Sequence, residues 1–329
     1  MCRKYNALTY FANFIWHAVT YCTTDNCHSF YCILDIYLRI IKICVAMKTI
    51  LLPTDFSKNS INAIKYATKL LKNEVCDFYI LNVQKASSFI SDDMMSVSSS
   101  TTIYSTLIDA AKKSITNIIS GLKLKQHNDK HQFHSIVDYD NFIDSINQIS
   151  DKHQVDLIIM GTKGASGLQR VLFGSNTARV MQRCHVPVLA VPDGCRYTTL
   201  KKIAFTTNHI NLFSIEELQT LKDILALNNS KLYILHVADE HHLAQKQLQN
   251  MDFFNTYFPE ATHDFIDVNK KDMFETVHQY IIDNDIDMLS MISEKHSFLD
   301  RLFTRHALET FAFSIDVPFL VVESSTINT

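Results

Sequence analysis

The sequence predicts an α/β protein built from two consecutive units, each an open, mostly parallel five-stranded sheet with helices on both faces. Three observations carry this. Short runs that are apolar on both faces alternate with helix-length amphipathic runs, the pattern of a parallel sheet covered on both sides. The pattern then repeats once along the chain. Its fourth strand leads into a glycine-rich loop and a helix start. At 329 residues with 47% hydrophobic content the chain is long enough for two cores of ordinary size.

Residues 1–46 stand apart. They hold Trp16, the one tryptophan, and five of the eight cysteines (Cys2, Cys22, Cys27, Cys32, Cys44), with no clean amphipathic period. Arg3-Lys4 before Ala7–Cys22 has the outline of a signal or anchor, but Asn13 and His17 interrupt it. Phe30–Ala46 carries Asp35, Arg39 and Lys42, too many charges for a comfortable span. Two readings stand: Met47 is the true start and the leader is upstream sequence, or the leader associates weakly with a membrane.

From Met47 the alternation is regular. Thr49–Leu52 reads as a buried strand closed by Pro53, and Ser57 or Asn59 as the cap of a helix to about Leu71. Ala63, Tyr66, Ala67, Leu70 and Leu71 share one face of that helix. Asp77–Val83 is the second strand. Ser87–Ser100 is serine-rich and reads as a flexible loop, with a lid as the alternative. Helix Ile103–Leu122, strand Phe133–Val137, helix Asn141–Lys152 and strand Val155–Met160 follow. Val186–Val191 is the fifth strand, and Asp193–Tyr197 a short linker.

The repeat is visible residue by residue. Lys201–Asn208 lies over Lys48–Asp55, Tyr233–Val237 over Tyr79–Val83, and Asp287–Glu323 over Asp156–Pro192 without a gap. The second copy is shorter after its second strand, where the first has its serine-rich stretch.

Of the six glycines, Gly161, Gly164, Gly167 and Gly174 fall within one loop. Glycine lets backbone N–H groups approach an anion closely, and a helix N-terminus adds partial positive charge. A strand, a glycine loop and a helix start therefore read as a phosphate cradle, with an ordinary strand-to-helix loop as the alternative. No Gly-Lys-Ser/Thr ends it, so it is not a Walker A loop, and it is not the G-x-G-x-x-G of dinucleotide folds.

The spacing Gly161-x2-Gly164-x9-Gly174-Ser175 resembles the nucleotide-binding signature of the universal stress protein family. Asp156–Met160 before it, His185–Val191 after it and the opening Met47–Asp55 resemble that family too. The resemblance covers Met47–Val322 as a tandem two-domain member. It implies residues 1–46 as a leader, 47–194 as the domain with the nucleotide motif and 195–329 as a degenerate copy. It also implies the strand order 3-2-1-4-5 of the adenine nucleotide alpha hydrolase-like fold in each.

The same resemblance implies a cytoplasmic stress-response protein that binds an adenine nucleotide, ATP or AMP, with Mg2+ as the accompanying cation it allows. Gly161, Gly164, Gly174 and Ser175 would hold the phosphates, with Asn176 at the helix start. Pro53, Thr54 and Asp55 would end the first strand, Asp55 near the adenosine. Val83 would contact the adenine, and Met160 the ribose side, both with plain core residues as the alternative. Enzymes of related fold that cut ATP carry a Ser-Gly-Gly-x-Asp-Ser loop where this chain has Pro53–Ser57, so a binding protein is expected, not an enzyme. Slow hydrolysis, self-phosphorylation and a nucleotide-free scaffold are the alternatives. Last strands of the family pair across a two-fold axis, implying that Val186–Val191 pairs with Phe319–Val322 as an internal pseudo-dimer, with a homodimer as a further arrangement.

In the second copy Ile292, Lys295, Arg305 and His306 stand where Gly161, Gly164, Gly174 and Ser175 stand in the first, and Asn208 replaces Asp55. Side chains there block a phosphate, so one working site is expected; binding of another anion by the three basic residues is the alternative.

Other chemistries are disfavoured. A net charge of −3 with mixed signs gives no footprint for nucleic acid, and no membrane partner is expected unless the leader is real. No C-x-x-C pair exists. His236 with Glu240, His241 and His242 has the composition of a metal site without ligand spacing, so no metal is expected and the histidines read as solvated.

Overall fold

The computed structural model describes residues 47–84, 97–162, 174–207, 213–238, 244–267, 273–293 and 316–323. The expectations for residues 1–46, for most of the serine-rich stretch, and for Gly164, Asn208, Lys295, Arg305 and His306 lie outside them.

Strand β1 (Met47–Pro53) organises the first half. Ile50, Leu51 and Leu52 point alternately to opposite faces and all three are fully buried, so the strand is covered on both sides. It pairs in parallel with β2 (Val75–Val83), from Met47↔Val75 to Pro53↔Leu81, and with β4 (Leu157–Gly161) through Ile50↔Leu157. β3 (His131–Asp138) adds outside β2, and β5 (Val188–Val191) outside β4, both parallel. The order 3-2-1-4-5 expected for the first half is thus present.

The second half repeats it with β6 (Lys202–Thr207), β7 (Lys231–Ala238), β8 (Thr262–Asp267), β9 (Met288–Ser293) and β10 (Phe319–Glu323). The two sets do not form separate sheets. They join into one ten-stranded sheet of order β3-β2-β1-β4-β5-β10-β9-β6-β7-β8. The junction is antiparallel, with Phe319↔Ala190, Leu320↔Leu189 and Val321↔Val188. Each of these strands would otherwise end its half as an open apolar edge, which favours pairing.

Helices cover both faces. On one lie α1 (Lys58–Leu70), α2 (Val97–Lys125), α5 (Gln219–Asn228) and α6 (Ala244–Tyr257). Their buried residues Tyr66, Leu70, Ile115, Leu221 and Phe254 join one apolar cluster that runs through both halves. On the other face lie α3 (Phe142–His153), α4 (Ser175–Arg183) and α7 (Met273–Asp283), joined through Ile146, Val180, Met181, Val277 and Ile281. Full burial of such side chains contributes about 1.5–3 kcal/mol each.

Several boundaries differ from the sequence expectation. Ser57, not Asn59, caps α1: its Oγ accepts from Ser60 N–H at 3.2 Å. Asn59 is buried one position inside the helix. Helix α2 begins at Val97, so Ser98–Ser100, expected as loop, are helical; serine is only mildly unfavourable inside a helix, and the apolar period continues through Ile103. The linker Asp193–Tyr197 is not loose. Asn62 Nδ2 donates to Cys195 O at 2.8 Å, Tyr66 meets Tyr197 edge to face at 5.4 Å, and Tyr197 Oη donates to Asn228 Oδ1 at 2.8 Å. Beside it Lys48 Nζ bonds Asp223 Oδ2 across the halves at 2.6 Å.

Both halves reuse one fastening. Asp156, ahead of β4, accepts Thr49 N–H at 2.7 Å, and Asp287, ahead of β9, accepts the N–H groups of Lys201 and Lys202 at 2.7 and 2.9 Å. No helix among the described residues is long and apolar enough to cross a membrane.

Candidate functional site

The carboxyl ends of β1, β2 and β4 and the N-termini of α1 and α4 converge at one edge of the first half, the place where open α/β sheets hold ligands. Two polar assemblies shape it.

The first surrounds the end of β1. Thr54 is buried and every polar atom it carries is engaged. Its N–H donates to Leu81 O at 2.8 Å, its carbonyl accepts from Asn82 Nδ2 at 2.7 Å, and its Oγ1 lies 2.9 Å from Ser60 Oγ while accepting from Phe56 N–H at 3.0 Å. Phe56 has φ of 63°, the left-handed region that a bulky side chain enters at a cost. These bonds and the packing of the Phe56 ring against the core hold it there. The turn leaves Asp55 exposed at the rim, with Oδ1 accepting Ser57 N–H at 3.0 Å.

The second assembly surrounds the glycine loop. The loop's two ends meet, since Gly174 N–H donates to Thr162 O at 2.6 Å. Thr162 N–H continues the β5 ladder to Val191 O at 3.0 Å, and Thr177 Oγ1 donates to Gly161 O at 2.9 Å. Gly174 is the N-cap residue of α4 and supplies no side-chain cap. Gly174 therefore offers no side chain to the first N–H groups of the helix, at Ser175 and Asn176. Ser175 and Asn176 are exposed. Neither α4 nor α1 carries an acidic residue in its first turn; the Asp55 carboxylate, on Ser57 N–H, sits against the positive end of the α1 dipole.

The structure sorts the expected site residues. Asp55, Ser175 and Asn176 are exposed, Gly174 and Val83 half-buried, and Pro53, Thr54, Met160 and Gly161 buried. Met160 packs in the core cluster with Ile146 and Val180. Val83 packs against the same cluster. Gly161 is constrained by packing: a Cβ there would lie 2.9 Å from Asn59 Cγ and Nδ2.

Sequence reasoning missed Asn59, Asn82 and Thr177 as shapers of the edge. Asn82 carried the one available signal, a carboxamide interrupting an apolar strand one residue before its end.

The second half departs at the matching positions. Ile292, at the place of Gly161, is buried in the apolar core. His236, at the place of Asn82, is fully buried, with Nε2 2.8 Å from His263 Nδ1 and its ring stacked on Phe265. This corrects the expectation of a solvated histidine. Glu240, His241 and His242 lie outside the described residues, among which no group of three or more His, Cys, Asp or Glu is placed to hold a metal. Cys76 and Cys184 are buried thiols pushed up to about 12, structural rather than reactive.

The sequence model of the universal stress protein family matches residues 47–192. Universal stress protein MJ0531 of Methanocaldococcus jannaschii is 30% identical over 151 residues, covering 44% of this chain and 81% of that protein. Universal stress protein MJ0577 of the same organism is 29% identical over 157 residues, covering 45% of this chain and 96% of that protein. The crystal structure of a universal stress protein from Archaeoglobus fulgidus matches 84% of this chain and 97% of its own, with a TM-score of 0.57 at 17% identity, a likeness of fold. The chain belongs to the universal stress protein family.

Proposed function

We propose that this chain binds one adenine nucleotide, ATP or AMP, at the edge of its first half, and acts as a cytoplasmic stress-response regulator through that binding rather than through turnover. The observation that carries the reading is the N-terminus of α4, whose N-cap residue Gly174 brings no capping side chain, at the same sheet edge as Asp55. Phosphate is the ligand such a terminus accepts best, because backbone N–H groups and the helix dipole act together. Ser175 and Asn176 supply further donors beside it, and Gly164 belongs to the loop between. Asp55 at the end of β1 suits the ribose hydroxyls, which are donors.

On this reading residues 47–194 form the nucleotide-binding domain and 195–329 a degenerate partner. Ile292 supports that division: its side chain fills the space where the first half keeps Gly161. The β5–β10 junction supports an internal pseudo-dimer, in which the second half takes the place of a second chain.

The test is to purify the full chain without added nucleotide, denature it, and separate released nucleotides by chromatography. Gly174→Val is the control, because Gly174 has extended backbone angles (φ −63°, ψ 154°) that valine adopts. A thermal melt verifies its fold. About one adenine nucleotide per chain, lost in the control, is expected. Two per chain would overturn the single site. None, with no ATP uptake by calorimetry, would favour a nucleotide-free scaffold.

A further inference from the structure

We propose that a hollow at the far end of α1 is an anion site that seats the phosphate group of a small phosphate monoester. It lies between the C-terminal turn of α1 and the turn joining α2 to β3. Helix α1 starts at the nucleotide edge and runs away from it, so its thirteen residues put the hollow about 20 Å from that edge. The cavity is about 340 Å³, enough for a small metabolite.

Its lining is polar and carries no carboxylate. Lys69 and Lys72 come from α1 and the turn after it, Gln126 and His127 from the facing turn, with the buried Thr68 and His131 between them. The lysine ion pairs among the described residues are Lys48–Asp223 and Lys202–Asp285, so no carboxylate neutralises the Lys69 and Lys72 ammoniums. Asp129 meets His127 Nδ1 at 3.5 Å instead, with both side chains out in solvent.

A helix C-terminus ordinarily repels an anion. Here the carbonyls that follow α1 are already engaged. Leu71 O accepts Glu74 N–H at 2.9 Å, Lys72 O accepts Asn128 Nδ2 at 2.8 Å, and Asn73 O accepts Lys130 Nζ at 2.8 Å. Lys69 and Lys72 are thus not spent as caps, and the wall offers ammonium and carboxamide N–H groups. The surroundings add to this field. Residues 58–74 and 97–130 hold nine lysines against Glu74, Asp109 and Asp129, in a chain of net charge −3. Such a one-sided face concentrates anions near the hollow. Phosphate suits it better than a carboxylate, because its second charge and three acceptor oxygens can be met from both walls, by two ammoniums and the Gln126 Nε2 group.

The test titrates glycerol 3-phosphate and inorganic phosphate into the full chain by calorimetry, at one ionic strength held with chloride. The chain carries Gly174→Val, so that the α4 terminus adds no phosphate site of its own. Glycerol 3-phosphate is expected to bind. Lys69→Met and Lys72→Met keep the aliphatic stem, and each should weaken binding about tenfold, the loss of one hydrogen bond between charged groups. Lys112→Met and Lys113→Met remove the same charge about 20 Å back along α2. Beyond the screening length they should leave the affinity within about twofold. All four lysines are exposed, and thermal melts of the variants should stay close to the parent. Equal losses in both pairs of variants would reduce the seat to a diffuse positive field and overturn it. Inorganic phosphate bound as tightly as the ester would overturn the assignment to an ester. Binding of neither would overturn the site itself, and none of these outcomes bears on the nucleotide reading.

Discussion

The Asn59 carboxamide occupies the space a Cβ on Gly161 would need, with Cγ and Nδ2 2.9 Å from that position and Oδ1 3.1 Å. A glycine in a phosphate-type motif is therefore demanded here by packing between β4 and the start of α1. Gly161→Ala should destabilise by about 1–3 kcal/mol through overpacking. Asn59→Ala in the same chain should return part of that loss. Urea denaturation of the two single variants and the double variant measures the coupling; strictly additive losses would mean the two residues do not press on each other.

Asp287 Oδ2 accepts two backbone N–H groups at the entry of β6. Hydrogen bonds to a charged acceptor are worth about 1.5–3 kcal/mol each, and the strand loses both in Asp287→Ala. The urea midpoint should fall clearly. Asp287→Asn, which keeps an acceptor oxygen, should lie between. Equal midpoints for Ala and Asn would show that the carboxylate's charge and geometry contribute nothing.

Ser290 is fully buried on β9, and its Oγ has no hydrogen-bond partner among the described residues. The matching residue in the first half is Ile159, a core apolar side chain. Ser290→Ala removes a desolvated hydroxyl and should stabilise by about 1 kcal/mol. Differential scanning calorimetry would detect this as a higher Tm; a lower one would show that the hydroxyl is satisfied in solution.

Burial holds His131, His153 and His263 below the ordinary imidazole value; Lys130 adds to this at His131, and Lys152 and His134 at His153. The Leu71 carbonyl and Asp264 pull the other way at His131 and His263 without reversing it. The unfolded chain protonates these rings near pH 6.5, while the folded chain resists. Below that pH the unfolded state binds more protons, so stability present above it is lost progressively as pH falls toward the lowered folded values. Glu323 runs the other way: burial raises it, so its carboxylate costs stability as pH rises above the ordinary glutamate value. In a Glu323→Gln background, urea midpoints should drop from pH 7.5 through 6.5 to 5.5. A flat profile would show that the three rings are not held below the ordinary imidazole value.

The central strands were legible because each is short, apolar on both faces and bounded by turn residues, and because the second copy repeats the first. β8, Thr-His-Asp-Phe-Ile-Asp, has no such apolar run and was not legible. The glycine spacing made the α4 terminus legible for the same reason, a pattern in one dimension. What escaped is what arises between elements. Asn59 looked like a cap because Asn caps helices; only its position beside Gly161 makes it a packing residue. His236 looked solvated because histidines are commonly exposed, and its partner His263 is on another strand. The helical Ser98–Ser100 looked like loop because serine is weakly informative. Asn82 became a shaper of the edge only once its Nδ2 was found donating to Thr54 O.

The central place of β10 has a consequence for how the chain is made. This strand is the last of the ten described strands in sequence, yet it sits at the middle of the sheet between β5 and β9. A chain emerging from the ribosome can complete its first four helices and five strands while β5 still presents a bare edge. That edge, and later the edge of β9, wait for Phe319–Glu323, made after the other nine strands of the sheet. Termination before Phe319 would leave two apolar edges in one molecule, each a template for another chain. Truncation ahead of Phe319 should therefore yield aggregates rather than a shortened folded protein, and newly made chains should depend on holdase chaperones until β10 is made.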